Sequence, residues 1–103
     1  MTKLTGKQNR FLRSKGQTLT TAATIGKAGL ADEAIANVRE LLALHELIKV
    51  RMPEGSDRKA MAAELAEKAG ACLAGVVGWT CLLYKPNTDL PPREQLHLPS
   101  ASA

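Results

Sequence analysis

Gly26-Lys27-Ala28-Gly29 is the stretch of this chain whose residue types and spacing could most readily do chemistry. Glycines at both ends let the backbone turn sharply and come close to a ligand. The preceding residues 19–25, Leu-Thr-Thr-Ala-Ala-Thr-Ile, are rich in β-branched side chains and read as a strand. A helical pattern begins at about residue 32, so the loop sits at a strand-to-helix junction. There the first helical amides lie at the positive end of the helix dipole, a natural phosphate site. Lys27 adds a cation at the tip. In isolation the pattern is no more than a tight turn, because glycine loops join strands to helices in many folds.

Charge gives the loop its weight. Residues 1–29 contain Lys3, Lys7, Arg10, Arg13, Lys15 and Lys27 and no acidic residue. Residues 30–103 hold eight basic and ten acidic side chains, so the net charge of +4 is concentrated at one end. A basic pole on a near-neutral body is the footprint of a polyanion partner. A solvated basic terminus without a partner would look the same on charge alone.

Other chemistries find little support. No Gly-Lys-Ser/Thr phosphate loop and no dinucleotide fingerprint is present. His45 and His97 lack the Ser, Cys or carboxylate company of a triad or ligand set. His45 reads as a cation at a helix C-terminus. Cys72 and Cys81 have no zinc-site spacing and fall in apolar segments, so buried free thiols are expected. The expectation is a protein without catalytic residues, cofactor or metal. No apolar run approaches the roughly 20 residues that span a bilayer, and no signal peptide is recognisable at the N-terminus. A cytoplasmic monomer without membrane contact is expected.

Seven elements must position these groups. Thr5-Gly6-Lys7-Gln8 has the form of a capping box, opening a helix over about 5–15 that Gly16 ends. Leu4, Phe11 and Leu12 share one side of it, while Lys7, Arg10 and Arg13 spread over a neighbouring arc. After the strand and loop, a second helix runs over about 32–44 with Asp32 as its N-cap and Ile35, Val38, Leu41 and Leu42 inward. Residues 47–52 alternate, with Ile48, Val50 and Met52 facing one way and Lys49 and Arg51 the other, which reads as a wet face. A third helix covers about 57–69, with a Glu64–Lys68 pair and Gly70 as its stop. Residues 72–77 and 80–85 form two strands joined at Gly78-Trp79, which requires a hairpin. Trp79 could anchor that turn or stack on a base. The order α-β-α-β-α-β-β predicts an α/β (α+β two-layer) fold: a four-stranded mixed sheet with helices mainly on one face. The domain is expected over 1–86. Residues 87–103, with Pro91, Pro92 and Pro99, read as an extended or disordered tail.

At this point whole stretches resemble one family. Leu4-Thr5-Gly6-Lys7-Gln8, Ile25-Gly26-Lys27-Ala28-Gly29-Leu30, His45-Glu46-Leu47-Ile48-Lys49-Val50, Val76-Val77-Gly78 with Leu83-Tyr84-Lys85-Pro86, and Leu96-His97-Leu98-Pro99 are similar to the CRM domain (chloroplast RNA splicing and ribosome maturation). The likeness is to its bacterial single-domain YhbY-like members. It implies a fold like the C-terminal domain of translation initiation factor three, RNA binding through the G-x-x-G loop and adjacent basic surface, and association with the large ribosomal subunit precursor. Ala31 departs from the Thr often found there, and Trp79 from a position that is often basic. The RNA-binding residues expected are Gly26, Lys27, Ala28 and Gly29, then Lys7, Arg10, Arg13 and Lys15, with Lys49 and Arg51 in a second tier. A protein-interaction module docking a ribosomal or translation protein is the rival reading.

Overall fold

The computed structural model describes residues 4–27, 29–55, 57–87 and 89–96. It contains α1 (Gly6–Gly16), β1 (Thr21–Thr24), α2 (Asp32–Leu44), β2 (Leu47–Arg51), α3 (Arg58–Ala69), β3 (Cys72–Val77), β4 (Thr80–Tyr84) and a 3₁₀ turn (Pro92–Glu94). The sheet order is β1-β2-β4-β3; β1 runs parallel to β2, and β4 lies antiparallel between β2 and β3. The expected seven elements and mixed sheet are all present. Two of the three helices, α2 and α3, pack on one face, and α1 covers part of the other.

Local chemistry explains the boundaries. Thr5 and Gln8 form the capping box: the Gln8 amide donates to Thr5 Oγ1 and the Thr5 amide to Gln8 Oε1, both at 3.1 Å. Asp57 caps α3 by accepting from the Ala60 amide at 3.2 Å. Glu64 and Lys68 pair at 3.1 Å, and Gly70 ends α3 with a φ of 70°. The β3–β4 turn places Gly78 at a φ of 58° before Trp79, the sequence that a type II′ hairpin favours.

Three sequence expectations need correction. Asp32 does not cap α2. The cap position is Ala31, which gives no side-chain hydrogen bond, and Asp32 and Glu33 instead occupy the first turn, where they complement the dipole. Gly16 does not end α1 by adopting a left-handed conformation. It is buried where α1 crosses β4, and a Cβ there would lie 2.6 Å from Leu82 Cδ1. The Lys49 face of β2 is wet only at Arg51: α1 lies over the rest, Leu47 is buried and Lys49 half-buried.

Two apolar layers result. Ile35, Val38 and Leu42 of α2 meet Leu65 and Ala69 of α3 over Ile48, Val50 and Leu83. Leu12 of α1 packs on Leu47, Ala74, Leu82 and Tyr84, with Leu4, Phe11, Leu19 and Leu96 at the margin. Burial of this kind is the main stabilising force, at about 25 cal/mol per Å² of apolar surface. Arg39 ties the helices of the first layer together, donating from Nε and Nη2 to the Lys68 carbonyl at 3.1 and 2.5 Å.

Beyond β4 the chain returns to the domain. The buried carboxylate of Glu46 accepts the Asn87 amide at 2.6 Å and the Leu96 amide at 2.5 Å. Asn87 Nδ2 reaches the Ala43 carbonyl at 2.9 Å. The stretch read as an extended or disordered tail is thus tied to the domain at Asn87 and Leu96. Residues 97–103, including the His97-Leu98-Pro99 part of the motif, lie outside the described residues.

Cys81 is a buried free thiol, as expected, whereas Cys72 is only half-buried. Burial pushes the Cys81 thiol up from 9.0 to about 11. A group whose folded pKa is raised stabilises the fold fully below its unfolded pKa and loses that contribution as pH climbs through the folded one. The expected outcome is a loss of about 2–3 kcal/mol between pH 9 and 11, read from urea midpoints. In Cys81→Ala that alkaline loss shrinks; an unchanged loss would place its origin elsewhere.

Candidate nucleic-acid interface

The basic side chains gather on the α1 face of the sheet. Lys7, Arg10 and Arg13 form the outer crest of α1, each exposed, and Lys15 lies on its flank with Nζ 5.5 Å from the Phe11 ring centre. The helix carries no carboxylate. Its docking stripe explains this geometry: Leu12 and Gly16 face the sheet, so Lys7 and Arg10 on the opposite side point to solvent, while Arg13 leaves the helix at the edge over β3.

The sheet adds Lys49 and Arg51 to the same face. In register, Lys49 pairs with Leu82, which pairs in turn with Gly75, and Arg51 pairs with Thr80, which pairs in turn with Val77. Directly paired residues project to the same side of a sheet. Leu82 packs under α1, so both rows belong to the α1 side. Lys49 is half-buried and donates to the Leu19 carbonyl at 3.0 Å, which fixes its ammonium at the margin of the helix. Arg51 is exposed and approaches Glu54 at 3.7 Å. An exposed pair at that distance holds an arginine only weakly. Arg13 is positioned by Gly75, where a Cβ would come within 2.8 Å of its Cδ, so the arginine stem lies directly across the β3 backbone.

The glycine loop is a closed turn. The Gly29 amide closes the turn onto the Gly26 carbonyl at 2.9 Å, and Gly29 sits at a φ of 82°. That angle favours glycine. Gly26 is different: a Cβ there would meet nothing within 4 Å. The fold does not require glycine at 26, and its absent side chain leaves the backbone bare to a ligand. Lys27 is exposed beside it, and Ala28 lies outside the described residues.

Electrostatics ranks the two halves. The dipole of α2 supplies roughly half a positive charge at its N-terminus. Asp32 and Glu33 stand in that same first turn. The neighbouring groove, lined by Leu30, Ala31, Ala60 and Met61, also carries Asp57 and Glu64. The α2 end thus carries Asp32 and Glu33, and Asp57 and Glu64 line the neighbouring groove with Glu64 already paired to Lys68, whereas α1 carries no carboxylate. On charge, α1 is the more positive of the two. The acidic pair after the loop was visible in the sequence and is the signal that sequence reasoning passed over.

Trp79 lies in the β3–β4 hairpin turn. Its carbonyl accepts the Met52 amide at 2.6 Å, and the Arg58 guanidinium sits 5.4 Å from its ring centre. These contacts anchor the turn and occupy one side of the indole with a cation–π partner. His45 is the C-cap residue of α2 and is exposed. Among the described residues no group of three or more His, Cys, Asp or Glu side chains could hold a metal, and no helix is long and apolar enough to cross a membrane.

Comparison with known proteins places this geometry. The model of the CRS1 / YhbY (CRM) domain matches residues 4–85. The probable RNA-binding protein YqeI of Bacillus subtilis is 38% identical over 98 residues, covering 93% of this chain and 99% of YqeI. The probable RNA-binding protein PA4753 of Pseudomonas aeruginosa is 32% identical, covering 84% and 89%. The solution structure of SAV1595 from Staphylococcus aureus, described as a candidate RNA binding protein, superposes with a TM-score of 0.80 at 33% identity, covering 93% of this chain and 99% of that one. The α1–β1–α2–β2–α3–β3–β4 chain described above therefore belongs to the CRS1 / YhbY (CRM) domain family.

Proposed function

We propose that this protein binds RNA and acts, without catalysis of its own, as an assembly factor on the precursor of the large ribosomal subunit. The observation that carries the reading is the α1 face, where Lys7, Arg10, Arg13 and Lys15 form a carboxylate-free helix beside Lys49 and Arg51. The names of similar proteins point the same way. In this reading the crest of α1 follows the phosphates of one strand, and the bare backbone at Gly26–Gly29 with Lys27 takes a neighbouring phosphate. Affinity then comes mainly from counterion release and falls steeply with salt. The ribosomal half of the proposal rests on the family resemblance alone.

Sedimentation of cell extracts through sucrose gradients at about 0.15 M salt tests both halves. The chain is expected to travel with large-subunit precursor particles, and Arg10→Glu with Lys27→Glu to remain at the top. If the wild-type chain also stays at the top, the ribosomal assignment fails. If the double variant still travels with the particles, a protein contact holds it there, and the rival docking module becomes the better account.

A further inference from the structure

Where α1 ends, the sheet face it covers becomes open. The row Arg51–Thr80–Val77 lies beyond Gly16, and Val77 is 68% exposed, one of two large apolar side chains so exposed among the described residues. The space is a groove of about 380 Å³ lined by Arg13, Gly16, Gln17, Lys49, Val77, Thr80 and Leu82. Its floor is apolar, its edges are cationic, and it contains no carboxylate. The volume falls in the range of small-ligand sites.

We infer that this groove receives one unpaired RNA base, whose flanking phosphates lie on Arg13 and the α1 crest. The inference rests on the RNA-binding reading above and narrows it to single-stranded or bulged RNA. A phosphate alone would not select this place, because Val77 and Leu82 offer it nothing. An apolar peptide would not need two cations at the rim. A base on a charged backbone uses both. Its faces are apolar and its adjoining phosphates anionic, and arginine can stack flat on it while contacting phosphate.

The walls are held ready. Arg13 is pinned across Gly75, Gly16 sits tight against Leu82, and Lys49 is fixed on the Leu19 carbonyl. Gln17 and Thr80, each with a polar side chain, also line the groove. They are placed to read a base edge, giving a preference that backbone contacts cannot supply.

The test compares two probes of equal length and charge: a 12-nucleotide oligouridine and the same backbone with abasic sites throughout. Fluorescence anisotropy on the full chain at about 0.1 M salt is expected to show the base-bearing strand binding about tenfold tighter. Val77→Asp and the double variant Gln17→Ala/Thr80→Ala, each checked for a native melting transition, should bring that ratio close to one. Lys27→Glu should weaken both probes by a similar factor and leave the ratio standing. Equal wild-type affinity for the two probes overturns the base groove but leaves the phosphate grip intact. A ratio that survives in both groove variants places base recognition elsewhere and also overturns it. If neither probe binds the wild-type chain, the RNA reading itself fails and this inference with it.

Discussion

Reversing two charges on α1, Arg10→Glu with Arg13→Glu, is expected to weaken single-stranded RNA binding by about 100-fold at about 0.15 M salt. Both arginines are exposed on the crest, and neither has an acidic partner among the described residues. The double change therefore removes two cations from the RNA's path and inserts two anions in their place. A loss of about 100-fold corresponds to about 3 kcal/mol, a modest sum for four unit charges at a partly screened surface. The fold should persist, because neither side chain is buried and the capping box lies a turn away, with only the contact of the Arg13 stem on Gly75 lost. Lys27→Glu should cost less, about tenfold or under, since Asp32 and Glu33 already weaken its pull on a phosphate. Titrations against a labelled single strand give both values. A larger effect at Lys27 than at α1 would reverse the ranking of the two halves.

The largest effect on stability is expected at Glu46. The residue is 4% exposed, and its carboxylate forms no ion pair among the described residues. It is satisfied by two backbone amides, from Asn87 and Leu96, at 2.6 and 2.5 Å. Hydrogen bonds to a charged group contribute about 1.5–3 kcal/mol each. Glu46→Ala leaves two amides without their acceptor and frees the strap that brings Leu96 onto Leu47 and Tyr84. A loss of about 3–5 kcal/mol follows, against a typical total of 5–15. For a domain of this size the melting temperature should fall by roughly 12–25 °C. Glu46→Gln keeps one carbonyl acceptor and should lose about half as much. A melting temperature within a few degrees of wild type in Glu46→Ala would show that the strap contributes little. Proteolysis offers a second reading, with cleavage after Lys85 or Arg93 rising as the strap opens.

What could be read in the sequence was what is encoded locally. The capping box at Thr5 and Gln8 involves residues three apart, and the Ile35–Val38–Leu42 stripe is a single-helix periodicity. The hairpin at Gly78-Trp79 follows from two apolar runs with no room for anything longer. What escaped depends on contacts distant in sequence. The alternation through Lys49 and Arg51 correctly separates two faces of β2, yet it cannot say that α1 returns to cover one of them. Gly16 looked like a helix stop because glycine so often is one; its burial against Leu82, 66 residues later, is invisible locally. Glu46 is an unremarkable acid in sequence and acquires its role from amides 41 and 50 residues away. The glycine loop is an intermediate case. Its turn geometry was legible, but its electrostatic setting depended on weighing Asp32 and Glu33 against Lys27, and on α3 bringing Asp57 and Glu64 alongside.

The claim that α1 carries the phosphate contacts is tested most directly by the salt dependence of RNA affinity. For a single strand, log K falls against log salt with a slope of about −0.7 per phosphate neutralised. The neutral triple variant Lys7→Gln/Arg10→Gln/Arg13→Gln should bind more weakly, with a slope shallower than wild type by about 2. If the slope and the affinity both match wild type, the phosphates of the RNA do not lie on α1.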